Sequence, residues 1–309
     1  MNEEDYVDKL KELLIKSINK QATGKEIDMA FSGGLDSSVL AKLLVDLGYK
    51  VRGYVAGTKN SKDITQAKKA AGELGIELEI IELSDKEIEE AIGIQGRIIQ
   101  KVYNKIESEK KINNDNLTCN AIPISFNLPL YFVAKNSREK QVFVSQGPDE
   151  MLGGYKRHQK MNEKEAVNEM RKNTEDFIEY GVRQNLETAK LFGKEFIMPY
   201  LDKEVGDFCL SLPYEMRIKK LLKNSASNFS LSKSDTSSRK GLHPDLEIQK
   251  HRKYILRKLA LKLGISREIA FREKKSAQYG SGILDVMKKL ARKQGHHISW
   301  LVSKRVAEN

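Results

Sequence analysis

Apolar positions along the first 145 residues alternate between two periods, and the switches predict a strand–helix repeat. Tyr6, Leu10, Leu13, Leu14 and Ile18 are spaced for an amphipathic helix over 3–19. Gly24-Lys25 turns the chain into an apolar strand, Ile27 to Phe31. Val39, Leu40, Leu43, Leu44 and Leu47 return to helical spacing, which Gly48 ends. Lys50 to Gly57 reads as a second strand, 63–74 as a helix stopped by Gly75, and Ile76 to Leu83 as a third strand by strict alternation. A helix over 85–108, an Asn-rich loop over 113–120, a helix over 126–135 and a strand over 141–145 follow.

That order predicts an α/β fold with a doubly wound parallel sheet. Its nucleotide-binding core, with an N-terminal helix, is expected over 1–155. Past about residue 155 the pattern is mostly helical, so a helical substrate-side part packed on the core is expected over 156–309. Asn224 to Gly241 is rich in Ser, Asn and Lys and poor in apolar residues, which predicts a mobile surface loop at 224–241. No internal repeat is visible.

Composition narrows the class. A chain of 309 residues, 39% hydrophobic and 31% charged, fits a soluble globular protein with a sizeable core. No apolar run reaches the length of a membrane span, and the acidic start Met1-Asn2-Glu3-Glu4-Asp5 is unlike a signal peptide. Cys119 and Cys209 have no metal or disulfide spacing and read as small buried hydrophobes. A cytoplasmic location is expected. The net charge of +11 is uneven: from Arg217 onward 23 Lys and Arg face 7 Asp and Glu, which leaves the first 216 residues net acidic. A basic third fits a wall facing ATP and pyrophosphate or solvated helix faces, and leaves RNA open as a partner. His296 and His297 have no further ligand at metal spacing and read as a polar tail near Trp300.

The densest chemistry lies in Phe31-Ser32-Gly33-Gly34-Leu35-Asp36-Ser37-Ser38, between the first strand and its helix. Two glycines let the backbone approach an anion, hydroxyls donate, and the helix N-terminus adds free N–H groups and positive dipole. The spacing and lysine of a Walker A loop are absent. Ser-Gly-Gly-x-Asp-Ser-Ser resembles the pyrophosphate loop of the N-type ATP pyrophosphatases, which split ATP into AMP and pyrophosphate. A second segment, Ser145-Gln146-Gly147-Pro148-Asp149-Glu150-Met151-Leu152-Gly153-Gly154-Tyr155, resembles the S-G-E-G-x-D-E-x-x-G-G-Y run of the asparagine synthetase synthase domain. Gly193 to Asp202, Lys253 to Arg257, Arg272-Glu273-Lys274 and Gln278 to Gly282 match further runs of that family in order. The resemblance covers about 25–285.

It implies ATP and Mg²⁺ as cofactors and an adenine nucleotide α-hydrolase-like fold. Asp36 and Asp149 would be the Mg²⁺ ligands, each following a parallel strand where phosphate-sharing hard ions bind. Ser32, Gly33, Gly34, Ser37 and Ser38 would hold pyrophosphate, Ala56 and Gly57 would lie beside adenine, and Ser145, Gln146 and Gly147 would close the nucleotide site. Lys274 would neutralise charge developing between the α- and β-phosphates. Gln146, Glu195, Asp202 and Lys253 are the substrate-binding candidates, with Arg183 a weaker one.

The implied activity is ATP-dependent amide synthesis through an acyl-adenylate, with aspartate and ammonia giving asparagine, AMP and pyrophosphate as the leading case. Two departures qualify it. Gln146 stands where the family often has glutamate, and an amide cannot serve as a carboxylate base. Pro148 replaces a small residue and stiffens the loop. With the Ser-Gly-Gly loop starting at Ser32, a glutaminase domain with an N-terminal catalytic cysteine is not expected before it. Free ammonia, a separate glutaminase subunit or another amine is therefore the expected nitrogen source. Other carboxylates, tRNA modification as in lysidine synthetases, ring closure as in β-lactam synthetases, a non-catalytic nucleotide-binding subunit and a homo-oligomer all stay open at this level.

Overall fold

Alternation along the strands becomes a sheet whose inner strands, Glu26–Ala30 and Lys50–Gly57, are mostly buried, with its edge at Glu77–Glu82 more open. The structure, a computed structural model, describes residues 1–110, 121–222, 248–272 and 280–308. The expected loops at 113–120 and 224–241, Cys119, and Lys274 lie outside the described residues. β1 (Glu26–Ala30), β2 (Lys50–Gly57), β3 (Glu77–Glu82), β4 (Gln141–Phe143) and β5 (Glu195–Ile197) form one sheet in the order β3-β2-β1-β4-β5, every pair parallel. Register pairs Glu26 with Lys50 and Asp28 with Val142.

Successive side chains of a strand point to opposite faces, so each strand feeds two cores. Ile27, Met29, Phe31, Val51, Val55 and Phe143 pack on one face with α1 (Glu3–Gln21), α2 (Leu35–Asp46) and α3 (Lys62–Leu74). Tyr54, Ala56, Val142 and Val144 pack on the other with α4 (Asp85–Lys110) and α5 (Ala121–Asn136). The early helix boundaries follow local chemistry. Asn2 caps α1 through a box with Asp5, and Ser61 caps α3, which Gly75 ends in the left-handed conformation. α5 is already helical at Ala121, where the described residues resume, ahead of the expected 126, and Ala121 and Ile124 belong to its buried face.

The second half of the chain begins with α6 (Pro148–Met151), a 3₁₀ turn over Lys156–Gln159 and α7 (Glu163–Asp176). A π-turn, Phe177–Val182, joins α7 to α8 (Arg183–Leu191). After β5 come α9 (Lys203–Ser211), α10 (Tyr214–Arg217) and a hairpin of β6 (Ile218–Leu222) with β7 (Ile248–Arg252). α11 (Tyr254–Lys262), α12 (Arg267–Ala270), α13 (Ile283–Lys293) and α14 (Ile298–Ala307) complete the described chain. α9, α11 and α12 extend the first core, while α8, α13 and α14 extend the second. The three added strands are the departure from a mostly helical expectation. β5 is three residues long, too short for its alternation to stand out. Cys209 is fully buried, and burial pushes its thiol up to about 12.

Among the described residues no helix is long and apolar enough to cross a membrane.

Candidate active site

The strand order reverses between β1 and β4, because β1 leads outward to β2 and β3 while β4 leads to β5 on the other side. Loops leaving the carboxyl ends of two such strands flank a crevice, the usual ligand position in open α/β sheets. Here those loops are Ser32–Gly34 and Ser145–Gly147. Gly33 is left-handed at φ +64°, and a Cβ there would sit 2.6 Å from Gln66 O. Only glycine closes that turn, which Gln66 Nε2 steadies by donating to Gly33 O at 3.1 Å. Gly34 caps α2 with no side-chain bond, so the first N–H groups of the helix stay turned to the loop. Ser32 and Ser37 hydroxyls lie 3.3 Å apart, and Ser37 Oγ donates to Gly34 O at 3.2 Å. Ser38 is buried at the base of the turn. The loop thus presents backbone donors and hydroxyls to one small volume.

Asp36, in the first turn of α2, and Asp149, in α6, face each other across the crevice. Lys253 Nζ lies 2.6 Å from Asp36 Oδ2 and 2.7 Å from Asp149 Oδ1. Two carboxylates from different loops therefore converge on one ammonium, itself only 4% exposed. Lys253 adopts a left-handed backbone at φ +53° just before α11, and its N–H donates to Leu152 O at 3.1 Å. Such a conformation costs a non-glycine residue roughly 1–3 kcal/mol. The gain is a lysine aimed back into the crevice from the start of a helix. Gly154 makes the approach feasible, since a Cβ there would overlap the Asp149 carboxylate and sit 2.5 Å from Lys253 Cε. Tyr200, fully buried, donates from its hydroxyl to Asp36 O at 3.0 Å. Burial, then the Asp36 charge, pushes that hydroxyl well above its ordinary pKa and keeps it a donor.

Around the second loop, Gln146 Oε1 accepts from Asn185 Nδ2 of α8. Gly147 sits at φ +112° with Leu201 against it. Tyr155 OH donates to Glu150 Oε1, with the Arg157 guanidinium 4.5 Å over its ring. Burial, then the charges of Glu150 and Asp149, raise the Tyr155 hydroxyl far above its ordinary value. Ala56 and Gly57 end β2 beside the first loop, where Thr58 N donates to Ser281 O at 2.9 Å.

The other sequence candidates sit elsewhere. Glu195 opens β5 at the amino edge of the sheet and pairs with Lys140 at 2.6 Å, away from the carboxyl-edge loops. Asp202 caps α9 by accepting from Glu204 N at 3.1 Å and pairs with Lys20 of α1 at 3.1 Å. Arg183 pairs with Glu109 at 2.7 Å on the surface. His296 stacks on Trp300 at 3.7 Å. Three residues of the site were not singled out from sequence. Tyr200 lies in the matched Gly193–Asp202 run, and Gly154 lies in the Asp149 run, so each had a local signal. Asn185 had none, because nothing along the chain links a polar residue in a long helix to a loop 39 positions earlier.

The geometry fits Mg²⁺ shared with a nucleotide. Two carboxylates already surround one cation, and Gly154 keeps the space open. Among the described residues no group of three or more His, Cys, Asp and Glu gathers to hold a metal. Two carboxylates plus phosphate oxygens is the usual Mg²⁺ arrangement.

Comparison with known proteins gives the family. The asparagine synthase profile matches residues 9–195 and 187–299. A putative glutamine-hydrolyzing asparagine synthetase of Methanocaldococcus jannaschii is 30% identical over 302 residues, 94% of this chain and 52% of its own length. The glutamine-hydrolyzing asparagine synthetase of Gallus gallus is 28% identical over 207 residues, 63% of this chain and 34% of its own. The chain thus spans about half, or less, of the relatives it matches. An NMN synthetase structure from Francisella tularensis aligns over 99% of this chain and 92% of its own at 13% identity, with a TM-score of 0.38.

Proposed function

The chain belongs to the asparagine synthase family, and from that premise we propose that it is a ligase that makes an amide by adenylating a small carboxylate. The observation that carries the reading is the meeting of Asp36 and Asp149, from the two loops at the switch point, on the ammonium of Lys253.

A substrate carboxylate oxygen attacks the α-phosphorus of ATP, and the bond to the β-phosphate oxygen breaks. Pyrophosphate leaves into the Ser32–Ser38 turn, where Gly33 and Gly34 N–H groups, the Ser32 and Ser37 hydroxyls and the α2 dipole offset its charge. Asp36 and Asp149 would hold Mg²⁺, which when bound supplies further charge neutralisation at the phosphates. Lys253 contributes positive charge at the same point, and Lys274 is proposed as a second cation at the bond that breaks. Ala56 and Gly57 are proposed beside adenine, with Ser145, Gln146 and Gly147 closing the site. Ammonia then attacks the acyl carbon, the bond to AMP breaks, and the amide is released. The protein's part in both steps is positioning and charge stabilisation. Aspartate, the acceptor that the family resemblance implies, is the first carboxylate to test. Glu195 and Asp202 are bonded elsewhere in this structure and are not assigned to it.

The test is pyrophosphate release from Mg-ATP with and without aspartate and ammonium chloride, with the product identified by mass. Asparagine and AMP formed only with both additions supports the reading. ATP binding with no pyrophosphate release under any carboxylate would overturn it and leave a nucleotide-binding subunit.

A further inference from the structure

Behind Gln146 lies a run of neutral hydrogen-bonding groups rather than charges. Gln146 is half-exposed where the chain leaves β4, and its Oε1 accepts from Asn185 Nδ2. Asn185 is 1% exposed. Its neighbour Gln184 accepts from Asn127 Nδ2 at 3.1 Å, and one turn on Thr188 Oγ1 accepts from Gln95 Nε2 at 3.1 Å. The π-turn Phe177–Val182 precedes this stretch, and it closes because Gly181 has no Cβ to overlap the Phe177 ring. A π-turn shifts the helical register by one residue and is frequent beside functional positions. Here it sets which residues of α8 reach the loop.

An amide side chain donates at one end and accepts at the other. With Asn185 taking one lone pair of Oε1, Nε2 is the donor end left to Gln146. We propose that Asn185 is a positioning residue that turns Gln146 Nε2 toward the crevice, so that the subsite there takes an oxygen acceptor and disfavours an ammonium. The proposal rests on the adenylation reading and narrows its acceptor. The carboxylate substrate presents a carboxylate, carbonyl or amide oxygen to Gln146 rather than a protonated amine. A glutamate at this position would do the reverse, because its second oxygen would meet the ammonium.

Two probes of equal carbon length separate these cases: L-aspartate, which carries the amine, and succinate, which lacks it. The measurement is carboxylate-dependent ATP–pyrophosphate exchange, expressed as the ratio of kcat/KM for the two. Succinate is expected to support exchange at least as well as aspartate. Gln146→Glu keeps the bond from Asn185 and is expected to move the ratio toward aspartate about tenfold or more. Asn185→Asp offers only acceptors, draws Nε2 inward, and is expected to move the ratio the same way. A merely structural Asn185 would lower both rates together and leave the ratio fixed. If Asn185→Asp fails to fold, the half-exposed Gln146→Glu decides alone. A tenfold wild-type preference for aspartate, or a ratio unmoved in the variants that fold, overturns the proposal. No exchange with either probe while Mg-ATP still binds overturns the subsite proposal, and the adenylation reading falls with it only if no other carboxylate releases pyrophosphate.

Discussion

Each end of the sheet holds buried carboxylates beside a cation, but the two ends are wired differently. Toward the amino edge, Asp28 is fully buried and accepts from Arg52 Nη1 at 2.8 Å, Glu139 N at 2.9 Å and Arg138 N at 2.5 Å. Arg52 also reaches Glu26 at 3.2 Å and Glu77 at 3.3 Å. One acid therefore has two backbone donors and a planar guanidinium, and that guanidinium is shared out among fixed neighbours. At the carboxyl edge two acids from separate loops share one flexible lysine. Backbone donors cannot leave without unfolding the strand ends. An ammonium on a four-carbon stem can be exchanged for another cation at small conformational cost. The amino-edge cluster is built to stay, whereas the carboxyl-edge cluster is built to trade partners.

The sharpest break of that comparison is Asp36→Ala. It should lower pyrophosphate release at least about 1,000-fold, in line with the loss of charge stabilisation aimed at a transition state. The fold should change by no more than about 1 kcal/mol, because Lys253 keeps Asp149 as its partner and no lone charge is left buried. A variant that retains activity, or one that unfolds, would remove the distinction between the two ends. Next comes Arg52→Ala, which strips Asp28 of its counter-charge in a fully buried place. A cost of about 3–5 kcal/mol is expected in denaturant unfolding, while turnover per folded molecule stays within about twofold. Loss of turnover without loss of stability would show that the amino edge communicates with the chemistry.

The strand–helix alternation of the first 145 residues was legible because both periods run for several turns, and the doubly wound sheet follows from their order. The family was legible because its motifs lie in continuous runs, from Ser32–Ser38 to Ser145–Tyr155. What stayed hidden depends on closure in three dimensions. Lys253 was legible as a substrate-binding candidate, but its place between the two acids was not, since its left-handed backbone and inward aim appear only when Leu152 accepts its N–H. Glu195 and Asp202 looked like neighbours of a substrate because they lie in one matched run, yet the three-residue β5 leaves Glu195 at the amino edge and Asp202 beyond its carboxyl end, capping α9. Asn185 is legible only as the partner of Gln146. β5 was missed for lack of length and the β6–β7 hairpin because its strands, Ile218–Leu222 and Ile248–Arg252, carry no clean alternation of apolar and polar residues.

Gly154→Ala probes the carboxyl edge without touching a charge. A methyl group there overlaps the Asp149 carboxylate and crowds Lys253. Asp149 must move while Asp36 keeps its place, so the two acids no longer converge. Pyrophosphate release should fall about 30- to 100-fold, on the scale that misplaced reacting groups cost. Binding of adenosine alone, which meets neither acid in the proposed arrangement, should be nearly unchanged. Equal loss of both would mean that the substitution disturbs the whole loop, not the convergence.

The smallest expected effect concerns pH, and it again divides the two ends. His158 is fully buried in the 3₁₀ turn below Tyr155. Asn173 Oδ1 accepts from Arg157, which can only donate, so Asn173 Nδ2 faces His158 Nε2 at 3.0 Å. That nitrogen must be unprotonated to accept. Burial first, then the Arg157 charge, lowers the His158 pKa to about 4. The unfolded chain, with histidine near its ordinary value of about 6.5, binds the proton more readily. Stability from this group is therefore complete above about pH 6.5 and is lost as pH falls toward about 4. By pH 5 the loss is on the order of 2 kcal/mol, and it should vanish in His158→Gln. Comparing unfolding midpoints of the two proteins at pH 7.5 and pH 5 checks it. Removing this histidine should flatten the acid limb, while Arg52→Ala keeps His158 and its partners in place. An acid limb that persists in His158→Gln would place the sensitive group elsewhere.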